Sequence, residues 1–351
     1  MTFFIRRPGC RALLAGLAVA FAAWGAPAAA QNTRIRFQLD WRFEGPSALF
    51  LTAAKKGYFS EEKLDVTIDA GNGSGGAINR VASGAYEMGF ADLAALMEFQ
   101  GNNPNAPSIP TGVMMMYNNT PAAVFSLKKS GIKTPKDLEG KKLGAPSFDA
   151  GRRTFPLFAA ATRIDEKTIT WISMDPALRE TMLARGDLDA ITGFYFTSLL
   201  SLNARGVKDA DIAIMSYPAY GVKLYGNAII ADRNFLKSHP EAVKGFLRAV
   251  AKATRDVIAD PAAAIKTVKE RDGIIDEALE LKRLKVAIAT SIDTPDARAE
   301  GFGDVNPARV ALMASQVGTV FATKVPVDPD LAFDRSFLPP KSVLSTVLRG
   351  K

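Results

Sequence analysis

Ile35-Arg36-Phe37-Gln38-Leu39, then Pro46 to Lys56, then Leu64-Asp65-Val66-Thr67-Ile68: on this stretch the fold turns. Its first and last segments alternate apolar and polar residues with the period of a half-buried strand. Between them Leu49, Phe50 and Ala53 fall on one side of a helix, which Tyr58 to Glu62 closes. Ile78 to Ser83 then reads as a short helix, Met88-Gly89-Phe90 as a buried strand and Val113 to Tyr117 as another apolar run. A β-α-β-α-β order predicts a parallel sheet covered by helices.

The same grammar repeats downstream. Lys142 to Ala145, Thr168 to Ser173 and Leu188 to Thr192 read as strands, with helices over Arg152 to Thr162 and Pro176 to Arg185. Asn118 to Leu127 and Gly221 to Ala231 are extended and lie at the two seams of this second set. Beyond them the chain is mainly helical. In Pro240 to Ile258 the residues Val243, Phe246, Leu247, Val250, Val257 and Ile258 recur at helical spacing. Two α/β lobes are therefore expected, with lobe 1 over 31–120, lobe 2 over 121–221, and a return to lobe 1 with C-terminal helices over 222–351. Two crossings make a hinge, and a guest in the cleft would touch both lobes and favour closure. In open α/β sheets that crevice lies beyond the carboxyl ends of the strands.

Composition narrows the chemistry. Arg6, Arg7 and Arg11 precede an apolar stretch from Ala12 to Trp24, which is short for a membrane span, and Ala26 to Ala30 supplies small residues. Residues 1–30 read as a secretory signal peptide cut near Ala30/Gln31, so an exported, periplasmic protein is expected. Cys10 is the only cysteine and precedes the apolar core, which argues against a lipid anchor. From residue 31 onward disulfides and thiolate chemistry are excluded, and the single histidine, His239, makes a Ser-His-Asp hydrolase a poor fit. The full chain has a formal charge of +8, and removal of the three leader arginines leaves +5. The charges are interspersed, with no basic cluster mixed with aromatics of the kind that binds nucleic acid.

Several phrases carry a family resemblance: Leu39-Asp40-Trp41, Lys56-Gly57-Tyr58-Phe59-Ser60-Glu61-Glu62, Ala82-Ser83-Gly84-Ala85-Tyr86-Glu87-Met88-Gly89-Phe90, Lys133-Thr134-Pro135-Lys136-Asp137-Leu138 and Arg185-Gly186-Asp187-Leu188-Asp189-Ala190. Together, over roughly residues 33–260, they resemble the nitrate/sulfonate/taurine and thiamine-pyrimidine-precursor branch of ABC-importer solute-binding proteins. The resemblance implies the type II periplasmic binding protein fold, a small-molecule ligand, and an ABC permease and ATPase complex in the inner membrane as partner. No cofactor is implied, and a monomer is expected. The same subgroup contains pyrimidine synthases that share the fold. Their pattern has a pyridoxal-phosphate lysine and a substrate histidine, and the matching positions here are Ala91 and Ala95. Without those groups synthase chemistry has no means, so a binding protein rather than an enzyme is expected.

Candidate ligand contacts follow from the strand-end rule. Trp41, Arg42 and Phe43 come directly after the first strand, where an indole can stack and an arginine can pair with an anion. Ser74 and Gly75 sit in the glycine-rich turn Gly71 to Gly76 before a helix, where backbone can approach a ligand, though an ordinary tight turn would look the same. Asp92 follows Met88-Gly89-Phe90 and reads equally as acceptor for an amine or as a helix N-cap. Tyr117 and Asn118 lie at the first crossing. Ser147, Phe148 and Arg152 open a helix and form the strongest anion candidate. Phe194 and Tyr195 end a strand of the second lobe, and Tyr225 lies near the return. The rings suggest a flat ligand and the arginines an acidic one. A thiamine pyrimidine precursor, a sulfonate and a carboxylate all remain open.

Overall fold

The computed structural model describes residues 1–4 and 32–349, so the signal-peptide reading falls almost wholly outside the described residues. From Thr33 onward the chain forms one compact unit. It contains two five-stranded sheets. The strands, in chain order, are β1 (Thr33–Gln38), β2 (Leu64–Asp69), β3 (Met88–Asp92), β4 (Thr111–Met115), β5 (Ala122–Leu127), β6 (Lys142–Gly144), β7 (Thr170–Ile172), β8 (Ala190–Phe194), β9 (Ile212–Ser216) and β10 (Asn227–Ala231). The first sheet has the order β2-β1-β3-β10-β4 and the second the order β7-β6-β8-β5-β9.

Both sheets are mixed, which corrects the expectation of parallel pairing throughout. In the first, β10 runs antiparallel to β3 and β4; in the second, β5 runs antiparallel to β8 and β9. The reason is geometric. Each of these strands is the first one laid down after a crossing from the other sheet. The chain leaves one sheet at the carboxyl end of β4 or β9 and enters its neighbour from the facing side, so the entering strand runs against the rest. The crossings, residues 116–121 and 217–226, form the two-strand hinge.

The sequence signals for the strands hold well where apolar side chains point to both faces. Every residue of β3, β4, β5 and β10 is buried, as central strands covered on both sides require. β9 carries no signal of that strength, because Ala213, Ile214 and Ser216 are only half-buried at the sheet edge, and it was not anticipated. The helix expected over Arg152 to Thr162 is two helices, Ala150–Arg153 and Phe155–Thr162, with Pro156 in the first turn of the second. The one expected over Pro176 to Arg185 is confined to Arg179–Arg185.

The helix Pro240–Ala259 packs on the first sheet through Val243, Phe246, Leu247, Val250 and Val257. Phe246 lies 4.9 Å from the rings of both Phe37 and Phe59 and is fully buried. Truncating such a residue to alanine costs about 3–5 kcal/mol. His239 precedes this helix, exposed and stacked on Phe235. The helices Glu277–Ala287 and Pro307–Phe321 reach toward the second sheet, so the C-terminal region braces both halves.

Candidate functional site

The segment after β1 and the carboxyl end of β8 meet across a gap between the sheets. Leu39, Asp40, Trp41, Arg42 and Glu44 line it from the first half, with Ser74, Phe90 and Tyr117; Asp149, Arg179, Phe194, Phe196 and Thr197 line it from the second. The empty space, mouth included, is about 550 Å³, of which only about 40 Å³ admits the centre of a water molecule. A single buried water needs roughly 10–15 Å³ by that measure. The lobes are therefore closed on each other, and a larger guest requires them to part.

Asp40 sits in the cavity wall with one carboxylate oxygen held by the Asn227 side-chain amide at 2.7 Å. No arginine or lysine among the described residues pairs with it. Burial pushes its pKa up to about 7, against the opposing hydrogen bond from Asn227. Tyr117, fully buried, has its hydroxyl pushed well above the ordinary range, first by burial and then by the carboxylates of Asp40 and Glu44.

Arg179 is the largest fully buried side chain, 1% exposed. Its Nη1 donates to Asp149 at 2.8 Å and its Nε to Glu180 at 2.8 Å, and its Nη2 is 2.8 Å from the same Glu180 oxygen. The guanidinium lies over the Trp41 indole, 4.8 Å from the ring centroid. Burial works against its charge, but Glu180 and Asp149 outweigh that and keep it firmly protonated. Asp149 caps the helix Ala150–Arg153 through the Arg152 amide. Its pKa is raised by burial, which Arg179 only partly offsets.

Glu44 forms the third acidic wall. It accepts from Trp41 Nε1 at 3.3 Å and from Thr197 at 3.1 Å, and it faces the Arg283 guanidinium at 3.3 Å. Arg283 also pairs with Glu280, whose second oxygen accepts from the Gly45 amide at 2.6 Å. Each buried arginine thus serves two acids, and Asp40 has none. Arg42, exposed at the mouth, is the remaining cation. The groups in and directly behind the cleft wall, five carboxyls against three guanidiniums, carry excess negative charge.

Of the residues singled out in the sequence, Trp41, Arg42, Ser74, Tyr117 and Phe194 line this cavity. The others are elsewhere. Phe43 packs against the core with the Arg271 guanidinium 4.9 Å above its ring. Asp92 is 1% exposed and caps the helix Leu93–Asn102 through the Ala95 amide, so the capping alternative describes it; burial pushes its pKa up to about 7. Ser74 accepts from the Asp92 amide. Gly75 donates its amide to Phe148 O at 3.1 Å. The neighbouring Gly73 has φ +136°, and a Cβ there would lie 2.1 Å from Phe148 O. The glycine turn is thus shaped for the opposite lobe's backbone.

The anion candidate moves furthest. Arg152 Nη1 bonds Ala145 O and Ser173, the guanidinium lies 4.8 Å from the Trp171 centroid, and with Ser147 it lines a separate outer groove. Phe148 lies over the glycine turn, 38% exposed. Tyr195 lines a groove behind the hinge. Asn118 and Tyr225 both bond Glu300, at 3.0 and 2.7 Å, in a knot with Arg309 that bonds the carbonyls of Asn118 and Leu224 at 2.9 and 3.1 Å. They hold the hinge. The sequence reading missed Asp40, Glu44, Asp149 as an ion-pair partner, and Arg179. Asp40 stands at a strand end within Leu39-Asp40-Trp41, which is a usable signal; Arg179 has none, since an arginine at a helix start reads as solvated.

Comparison with known proteins places the geometry in context. The family model "NMT1/THI5 like" matches residues 46–264. The chain is 27% identical over 252 residues to a 4-amino-5-hydroxymethyl-2-methylpyrimidine phosphate synthase of Aspergillus parasiticus, covering 66% of this chain and 69% of the relative. It is 22% identical over 235 residues to a formylaminopyrimidine-binding protein of Halalkalibacterium halodurans, covering 67% and 69%. Among solved structures, the alkanesulfonate-binding protein SsuA of Xanthomonas axonopodis pv. citri, bound to MOPS, aligns with a TM-score of 0.66 at 16% identity, covering 88% of this chain and 100% of that one. That likeness establishes the periplasmic binding protein fold.

Proposed function

The chain belongs to the NMT1/THI5-like family, and from that premise we propose that it is the exported, periplasmic substrate-binding component of an ABC importer, capturing a flat, amine-bearing heterocycle of the thiamine-pyrimidine class by lobe closure. In this reading it works as a monomer and delivers its ligand to a membrane permease and ATPase. Lobe 1 comprises 31–120 with the return from 222, and lobe 2 comprises 121–221.

The observation that carries the reading is the charge of the cavity. Asp40 faces it without an ion-pair partner, while both buried arginines are occupied by carboxylates. A sulfonate or carboxylate would displace a protein acid from its guanidinium and leave it buried and unpaired, which is strongly unfavourable. An amino group adds a second donor to the single side-chain hydrogen bond that Asp40 accepts, from Asn227. Trp41, Phe90, Tyr117, Phe194 and Phe196 surround it with rings that suit a planar body. The pyrimidine named for the Halalkalibacterium relative has both features.

Some relatives carry the name of a synthase. The cavity wall holds neither lysine nor histidine, and Ala91 and Ala95 are buried in an apolar cluster. Both points favour binding over turnover. Titration calorimetry decides: an aminopyrimidine such as formylaminopyrimidine binds saturably at one site, and an alkanesulfonate does not. Tight sulfonate binding with no pyrimidine binding would overturn the assignment.

A further inference from the structure

Arg179 is held from every side by one half of the molecule except for one face of its guanidinium. Asp149 and Glu180 take its N–H groups, and Ser198 donates to the same Glu180 oxygen at 2.8 Å. The neighbouring β8 residue has to be glycine for this seat to exist. A Cβ on Gly193 would lie 2.9 Å from the Arg179 guanidinium carbon and 2.3 Å from the Ser198 hydroxyl. All these partners come from the lobe of the second sheet. The uncovered face meets Trp41, which belongs to the segment after β1 of the first sheet.

With each of its three nitrogens already facing a carboxylate, this arginine has its charge balanced within the protein and little left to offer an anion. What it offers the cleft is a flat, rigid, cationic plate. A guanidinium over an indole in a desolvated site is among the stronger cation–π contacts, and here it joins the two halves inside the cavity wall. The cluster of Asp149, Glu180 and Arg179 carries one negative charge in excess, so burying it under Trp41 has a desolvation cost that opposes closure. The two effects of opposite sign leave the closed form within reach of an empty cleft.

We propose that Arg179 is the latch of the cleft, a positioning residue on which Trp41 closes, so that the stacked pair holds the lobes together before a ligand arrives and sets the indole against which the ligand packs. The second half of this statement rests on the ligand reading given above; the first half does not. Other contacts cross the gap, among them Gly75 to Phe148 O and Thr197 to Glu44, whose groups water satisfies when the lobes part, and the edge contact of Tyr117 with Phe196 at 5.8 Å, which carries no charge.

The test uses the chain without its leader in a Trp171→Phe background, where Trp41 is the remaining tryptophan. Small-angle scattering and Trp41 emission are measured with no ligand present for the parent, Arg179→Lys, Trp41→Leu and the double variant, with scattering alone for the variants that lack Trp41. Arg179→Lys keeps the charge and loses the plate: a red-shifted emission and a larger radius of gyration are expected. Trp41→Leu leaves the arginine seat intact, so it stays informative if Arg179→Lys does not fold; it expands the protein to the same degree, and the double variant expands it no further. Trp41→Phe, which keeps a ring, restores most of the compaction. Formylaminopyrimidine binding weakens about tenfold in Arg179→Lys, through faster dissociation. Unchanged scattering in Trp41→Leu, or additive expansion in the double variant, overturns the latch. Failure of the parent to bind any pyrimidine overturns the ligand reading alone, because the closure readout needs no ligand.

Discussion

Two arginines in this protein lie over two tryptophans at the same distance. Arg179 is 4.8 Å from the centroid of Trp41, and Arg152 is 4.8 Å from that of Trp171. Their settings differ in every other respect. Arg179 is sealed between the lobes with two carboxylates on its nitrogens. Arg152 lies on an outer groove, bonded to a carbonyl and a serine, with burial drawing its pKa down and Asp149 only partly restoring it. The same pair of residue types makes a cavity wall in one place and a surface decoration in the other. What separates them is the supply of acids and the exclusion of water.

That contrast can be broken by measurement. Arg179→Leu strands Asp149 and Glu180 as unpaired buried acids and should cost about 3–5 kcal/mol in urea unfolding, against about 1 kcal/mol or less for Arg152→Leu. Equal losses would show that burial does not distinguish the two sites. Next, Asp40→Asn should weaken an aminopyrimidine by about 1.5–3 kcal/mol, the worth of a hydrogen bond to a charged group, while calorimetry on Arg152→Ala finds the affinity unchanged. An affinity lost in Arg152→Ala instead would return the site to the outer groove.

The buried acids make a related prediction about pH. Asp40 and Asp92 each have a pKa pushed by burial from 3.8 to about 7. Between those values the folded chain holds protons that the unfolded chain has released. Stability therefore falls as pH rises from about 4 to about 7 and stays low above it. Asp92→Asn keeps the helix cap and removes one of these groups. It should flatten the decline between pH 5 and pH 8 by something of the order of 2 kcal/mol. An unaltered slope in denaturation midpoints would mean that Asp92 titrates normally. The smallest effect expected is that of Arg152→Ala on stability, about 0.5–1 kcal/mol from a half-buried stack at the surface.

The fold was largely readable along the chain because burial on both faces leaves a strong local mark. Val113 to Tyr117 and Met88 to Phe90 announce themselves as strands, and Val243 to Ile258 as a packed helix. β9 was not readable, since a half-buried edge strand such as Ile212–Ser216 resembles a loop in composition. Strand direction was not readable either: the reversal of β5 and β10 follows from the side on which a crossing enters a sheet, which no local pattern records. Of the candidate contacts, Trp41, Arg42 and Phe194 from strand ends, Ser74 from the glycine turn and Tyr117 from the crossing line the cavity between the sheets, whereas Arg152 lines an outer groove, because a helix start with an arginine looks alike inside a cleft and outside it.

The sequence by itself determined the family, the two α/β sets with their double crossing, and the aromatic character of the segment after the first strand. These depend on periodicity and on short local phrases. Only the tertiary structure decided the polarity of the cleft. Whether an arginine is available to a ligand depends on which acids, distant along the chain, arrive beside it, and Asp149 stands thirty residues from Arg179. Ion pairing in a water-free gap is a property of proximity in space, and sequence order does not contain it.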